Sequence, residues 1–73
     1  MTRDEHLAWC KQRALEYLDN NDPRNAFTSM LSDLCKHPEL ENHPGTRIGA
    51  AFMLMPGWID NHYEIRRWIV GFN

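Results

Sequence analysis

Apolar residues recur at steps of three and four in four segments of the chain, which is the pattern of amphipathic α-helices. The first segment follows Thr2, and Glu5 three residues later completes the capping-box pattern that starts a helix. We expect this helix to end at Asn20 and Asn21, because asparagine tolerates the left-handed backbone in which many helices end. Its predicted buried face consists of Leu7, Cys10, Ala14, Tyr17 and Leu18.

A second helix is predicted to begin at once, because Asp22 is a favourable N-cap and Pro23 suits the first helical position. Its apolar face consists of Ala26, Phe27, Met30, Leu31 and Leu34. Lys36 and His37 are expected in its last turn, where positive charge is favourable, and Pro38 prevents continuation. Two helices joined by so short a connection are predicted to form an antiparallel hairpin.

Residues 37–45 contain two prolines, a glycine and no apolar periodicity, so they are predicted to be a linker. A third helix is expected from about Pro44 or Thr46 to Met55. Gly49 weakens it unless a close contact requires the glycine. Its predicted buried face consists of Ile48, Ala51, Phe52 and Met55.

A fourth helix is predicted after Asn61, which can cap it, and Pro56-Gly57 separates it from the third. Its predicted buried face consists of Ile65, Trp68, Ile69 and Phe72, whereas Trp58 and Ile59 fall in the connection. No alternating pattern of a β-strand occurs. The sequence therefore predicts an all-α fold, a small bundle of four short helices built from two helical hairpins, with residues 1–73 as a single domain.

Length, composition and charge narrow the class of protein. The chain has 73 residues, 8.6 kDa, 42% apolar residues and eight aromatic ones, which is globular composition for one domain. Eight Lys and Arg against ten Asp and Glu give a net charge of −2, which makes nucleic acid an unfavourable partner. No apolar run approaches the ~20 residues of a membrane span. We expect no membrane association and a cytosolic location.

Two cysteines and two histidines raise the question of a metal site. His6 and Cys10 share one helix face, and Cys35 and His37 lie at the end of the second helix. Four such ligands can hold zinc, but the spacing is not that of a common zinc motif, and both cysteines also fit apolar positions. We therefore predict no metal and no cofactor. No nucleophile–base or paired-carboxylate arrangement is present either, so the chain is not expected to be an enzyme.

Two positively charged segments are candidates for binding. The first is the segment Arg66-Arg67-Trp68 near the end of the chain. It suits phosphate or an acidic protein surface, because arginine offers a planar fork of hydrogen-bond donors. Lys36 and His37 place a cation and an imidazole at a helix terminus. The alternative for both is purely structural, with Trp68 in the core, solvated arginines and an ordinary helix end.

The sequence resembles a family of short accessory proteins from tailed bacteriophages. The resemblance lies in Glu5-His6-Leu7-x-Trp9-Cys10-Lys11-x-Arg13-Ala14-Leu15-Glu16-Tyr17, in Ala26-Phe27-x-Ser29-Met30-x-Ser32-Asp33-Leu34-x-Lys36-His37-Pro38-Glu39 and in Glu64-x-Arg66-Arg67-Trp68-Ile69-x-Gly71-Phe72-Asn73. It implies a protein in the cytoplasm of a bacterial host that binds and modulates a host protein, such as a component of a defence system. It carries over no catalytic residue.

Two other functions remain open. An oligomer can sequester a small nucleotide signal between its helices, with Arg66, Arg67, Lys36 and His37 as phosphate contacts. A small DNA-associated regulator is the third hypothesis, and the net negative charge disfavours it.

Self-association is also predicted, because a two-layer domain of 73 residues cannot enclose every large apolar side chain. Trp9 lies about 100° around its helix from Cys10, and Trp58 and Ile59 lie in a connection, where their burial needs another surface. We expect a homodimer that uses Trp9, Trp58, Ile59 and Phe72.

Overall fold

The computed structural model describes residues 2–73, and these residues form helices and turns but no β-strand. The helices are α1 (Arg3–Asp19), α2 (Pro23–Leu34), α3 (Pro38–Glu41), α4 (Pro44–Phe52) and α5 (His62–Val70), and a 3-10 turn spans Trp58–Asp60. The predicted all-α fold is confirmed. Across residues 2–73 no helix is both long and apolar enough to cross a bilayer.

Helices α1 and α2 form the predicted antiparallel hairpin. The Glu5 backbone N–H donates to the Thr2 hydroxyl at 3.2 Å, and the Thr2 N–H donates to the Glu5 carboxylate at 3.0 Å, which completes the capping box. Asn21 has φ 60°, the left-handed conformation expected at the hairpin turn. Asp22 then caps α2 by accepting the N–H of Asn25 at 3.2 Å.

The core lies between this hairpin and α5. Its buried apolar side chains are Leu7, Cys10, Ala14, Leu18, Ala26, Phe27, Met30, Leu34, Leu40, Trp58, Ile65, Ile69 and Phe72. The predicted faces of α1 and α2 are thus largely confirmed. Tyr17 is an exception, because it is 37% exposed, and Leu31 is only half-buried.

The predicted linker contains a helical turn, α3, which the sequence pattern did not reveal. His37 and His43 precede prolines and cap α3 and α4: each imidazole Nδ1 accepts a backbone N–H, from Glu39 at 3.1 Å and from Gly45 at 2.9 Å. His37 therefore caps the start of α3. Neither His37 nor Lys36 lies in the last turn of α2, which ends at Leu34.

Helix α4 buries a different face from the one predicted. Ile48, Ala51 and Met55 are exposed, whereas Thr46 and Gly49 are buried. The reason is the indole of Trp68, which lies so close to α4 that only small residues fit beneath it. The helix also ends at Phe52, three residues earlier than expected.

Two aromatic side chains near α5 are buried within the chain itself. Trp58 is 7% exposed and packs edge-on against Phe27, with ring centroids 5.2 Å apart, and against Phe52 at 4.6 Å. Phe72 lies beyond the end of α5 and is 4% exposed. The expectation that burial of Trp58 needs a partner surface is wrong, because the 3-10 turn folds back onto the core. Phe72 is buried, as its place on the predicted apolar face of the last helix required.

Candidate functional site

A buried carboxylate on α2 organises the most distinctive polar cluster of the fold. Asp33 is 2% exposed and faces α1. Its Oδ1 lies 3.2 Å from Lys36 Nζ and its Oδ2 lies 3.5 Å from Arg13 Nε. Ser29 Oγ also donates to Oδ2, at 3.5 Å. A buried charge of this kind is tolerated because it is paired with cations and hydrogen-bonded.

Both cations held by Asp33 lie near the indole ring of Trp9. The guanidinium carbon of Arg13 lies 4.8 Å from the ring centroid, and Lys36 Nζ lies 5.9 Å from it. Both separations are within the range of cation–π attraction. Trp9 itself is half-buried and packs partly on the core.

Two histidines complete the cluster. The His6 ring stands 5.4 Å from the Trp9 ring and 5.3 Å from the His37 ring. His6 Nε2 donates to the backbone carbonyl of Asp33 at 2.7 Å, so its orientation is fixed by α2. We call the side chains of His6, Trp9, Arg13, Lys36 and His37 the basic–aromatic surface.

The basic–aromatic surface carries a positive charge and is held in place. Arg13 and Lys36 supply two positive charges against the single negative charge of Asp33, and their side chains are 41% and 58% exposed. Each is therefore fixed on its inner side and open to solvent on its outer side. Such an arrangement can bind an anionic or acidic group without much further loss of side-chain entropy.

Cys10 does not add a nucleophile to this cluster. Cys10 is fully buried, and burial, assisted by the nearby negative charge of Asp33, raises the pKa of its thiol to about 11. Cys35 is exposed. In the part of the chain that the structure describes, no three His, Cys, Asp or Glu side chains are grouped as metal ligands.

The second predicted basic segment lies apart from the first. Arg67 reaches Glu64 at 3.8 Å and stands over the Tyr63 ring at 5.8 Å, and Arg66 is exposed. No contact within residues 2–73 joins either arginine to Lys36 or His37.

Trp68 is held by the interior of the fold. Its Nε1–H donates to the Gly45 carbonyl at 3.0 Å, and its ring packs against Phe27 and Phe72. Of the four residues predicted to form an interface, only Trp9 and Ile59 keep partly exposed side chains.

Comparison of the chain with models of protein families, with curated proteins and with solved structures found no match. The resemblance to phage accessory proteins therefore stays a prediction.

Sequence reasoning singled out Trp9, Lys36 and His37 separately and considered His6 only as a metal ligand. It missed Asp33 and Arg13. The signal that could have revealed Asp33 is its position: it follows Met30 by three residues and so lies on the apolar face of α2. An acid at such a position predicts a cation on the facing helix.

Proposed function

We propose that this chain is a bacteriophage accessory protein that acts by binding a host protein rather than by catalysis. The observation that supports this proposal is the basic–aromatic surface, in which the buried Asp33 pairs with Arg13 and Lys36 and both cations lie near the Trp9 ring. Its predicted counterpart is an acidic patch on the partner.

The side chains of this surface are the types that dominate protein–protein binding. Tryptophan and arginine are enriched among the residues whose truncation weakens complexes most. Trp9 offers apolar area, and Arg13 and Lys36 offer charge-assisted hydrogen bonds. Because Asp33 restrains both cations beforehand, a larger share of the interaction free energy remains available for affinity.

Inhibition follows from occupation of the partner's surface. A chain of 8.6 kDa has an accessible surface of 4596 Å², large enough to cover a site of standard size, about 800 Å² per partner. If the covered surface is the active or assembly surface of a host defence protein, binding alone blocks it.

The alternative functions have less support. Nucleotide sequestration was predicted from four residues acting together, but Lys36 and His37 belong to a cluster that the α5 arginines, Arg66 and Arg67, do not contact. A DNA-associated role conflicts with the net charge of −2.

A binding experiment with matched charge variants tests the proposal. Bacterial lysate is passed over the immobilised chain, the retained protein is purified, and its affinity is measured for wild type, Lys36→Gln and Arg66→Gln. We expect Lys36→Gln to weaken binding about tenfold and Arg66→Gln to leave it unchanged. Wild-type affinity should also fall with added salt, because the interaction is between charged groups.

The same experiment identifies failure. Equal affinity of wild type and Lys36→Gln, or loss of binding on Arg66→Gln instead, would show that the basic–aromatic surface is not the binding site. Release of a nucleotide from the chain, with no protein retained, would favour the sequestering function. If the purified partner has a measurable activity, the wild-type chain should reduce it and Lys36→Gln should do so less.

A further inference from the structure

Two histidines occupy helix N-caps, and each precedes a proline. His37 caps α3 and His43 caps α4. In both, the imidazole Nδ1 accepts the backbone N–H two residues further on, that of Glu39 at 3.1 Å and that of Gly45 at 2.9 Å. Because Nδ1 accepts a hydrogen bond only while it carries no proton, both caps require the neutral ring with its hydrogen on Nε2.

The second ring nitrogen of His43 is also engaged. Its Nε2–H donates to the backbone oxygen of Asn73 at 3.1 Å, and its ring packs on Phe72 with the ring centroids 5.0 Å apart. Both hydrogen bonds require the same tautomer. The neutral imidazole of His43 therefore joins the start of α4 to the chain that follows α5.

The other two histidines make the opposite kind of contact. His6 Nε2 donates to the Asp33 carbonyl in the last turn of α2 at 2.7 Å, and His62 Nε2 donates to the Leu18 carbonyl in the last turn of α1 at 3.1 Å. A protonated ring still donates from Nε2, and positive charge is favourable at the C-terminal end of a helix. Protonation therefore preserves these two contacts, whereas it removes the two N-caps.

We propose that His37 and His43 form a pH-sensitive switch that holds residues 38–52, the segment of α3 and α4, at neutral pH and loosens it in mild acid. When Nδ1 takes up a proton, two hydrogen-bond donors face each other and the cap is lost. Imidazole is the side chain that changes its charge between pH 5 and 8, so the switch operates in that range. The uncapped segment binds more protons than the capped one, and falling pH therefore favours it.

The charged groups around His37 do not replace its lost cap. The ring faces that of His6 on α1, with the centroids 5.3 Å apart, and Lys36 precedes it in sequence. On α3 itself, Glu39 and Glu41 are exposed to solvent. Within residues 2–73 no acidic side chain forms an ion pair with either N-cap histidine.

Positive charge approaches His43 from two helices. Arg3 of α1 donates to the same Asn73 oxygen at 2.6 Å, and Arg67 of α5 lines a shallow recess together with His43. Neither arginine offers a counter-charge to an imidazolium. The switch does not rest on the proposed function, although His37 also belongs to the basic–aromatic surface.

Amide hydrogen exchange at pH 7.5 and pH 5.5 tests the switch, with each rate corrected for the pH dependence of unprotected amides. In wild type, the protection factors of the α4 amides should fall about fivefold at pH 5.5, which is the effect of losing one N-cap. The amides of α1, α2 and α5 should keep their protection, because side-chain oxygen atoms of Thr2, Asp22 and Asn61 cap those helices.

His43→Asn is the decisive variant. The asparagine oxygen can accept an N–H at the start of α4 but takes up no proton in this range, so the α4 amides should be equally protected at both pH values. His62→Gln is the matched control, because it removes an imidazole that caps no helix N-terminus, and it should retain the fivefold fall. If circular dichroism shows that His43→Asn does not fold, His37→Asn provides the same test on the amides of α3.

Three results would overturn the proposal. The first is equal protection of the wild-type α4 amides at both pH values. The second is a fivefold fall that persists in His43→Asn. The third is a fall of the same size in α1 and α5, because that would be a general loss of stability in acid and not a switch confined to residues 38–52.

Discussion

Gly49 of α4 lies directly against the indole of Trp68 on α5: a Cβ built on Gly49 would stand 2.5 Å from Trp68 Cζ2. On an exposed helix face, glycine to alanine gains about 1 kcal/mol. At this contact the added methyl overpacks the core, at a cost of about 1–3 kcal/mol. We therefore expect Gly49→Ala to lower the free energy of unfolding, measured by urea denaturation.

Trp68→Phe provides the control for this prediction. The smaller ring makes room for the methyl group, although it loses the hydrogen bond from Nε1 to the Gly45 carbonyl. Gly49→Ala should cost less in the Trp68→Phe background than in wild type. If Gly49→Ala were more stable than wild type, α4 and α5 would have to move apart readily to make room for the added methyl group.

The contact between Gly49 and Trp68 is an example of a feature that local sequence signals could not predict, whereas they did predict other parts of the fold. Local signals sufficed for the first hairpin, because the caps at Thr2 and Asp22 and the left-handed Asn21 depend on neighbouring residues only. The buried face of α4 could not be predicted in this way. Apolar side chains occur on several sides of so short a helix, and Trp68 selects the side with glycine.

The same distinction applies to the candidate site. Trp9 and Lys36 stand out by residue type, but their proximity depends on the register between α1 and α2. Burial of Trp58 likewise depends on Phe27 and Phe52, which lie far from one another in sequence. Contacts of this kind are tertiary, and hydrophobic periodicity within one element carries no information about them.

Asp33→Asn should weaken both the fold and the basic–aromatic surface. The amide keeps the size of the side chain but leaves Arg13 and Lys36 without a counter-charge. Because both cations are partly exposed and can rehydrate, we expect the free energy of unfolding to fall by only about 1–2 kcal/mol. Urea denaturation measures this loss.

Asp19→Asn is the matched control for Asp33→Asn. It removes an exposed acid from the last turn of α1, where negative charge is unfavourable, so it should leave stability unchanged or slightly higher. Equal effects of the two substitutions would mean that Asp33 makes no net ionic contribution.

Acid should selectively weaken the start of α1. Hydrogen bonds from the Thr2 backbone N–H, and then from its hydroxyl, hold the pKa of Glu5 below its ordinary value of 4.5. A carboxyl whose pKa is lower in the folded state contributes stability above its unfolded pKa and loses it as pH falls through the folded one. The stability difference between wild type and Glu5→Gln should therefore be constant above about pH 5.5 and shrink below pH 4.5.

Asp60 provides a control, because its carboxyl also has a lowered pKa but lies outside the capping box. The hydrogen bond from the Arg24 guanidinium, and to a lesser extent its positive charge, lowers the pKa of Asp60. Asp60→Asn should thus remove a different part of the acid dependence and leave the Glu5 part intact. Identical pH profiles for Glu5→Gln and wild type would contradict a contribution from the capping box.

The two thiols should differ sharply in reactivity. At pH 8 a thiol with a pKa of about 11 is ionised in only ~0.1% of molecules, and Cys10 is in addition fully buried. Cys35 is exposed. We expect iodoacetamide to add one group per folded chain in dilute solution, at Cys35, and a second only in urea, as mass spectrometry would show. Cys35→Ser should add none while folded, and modification of Cys10 at the rate of Cys35 would mean that α1 and α2 open far more often than their packing implies.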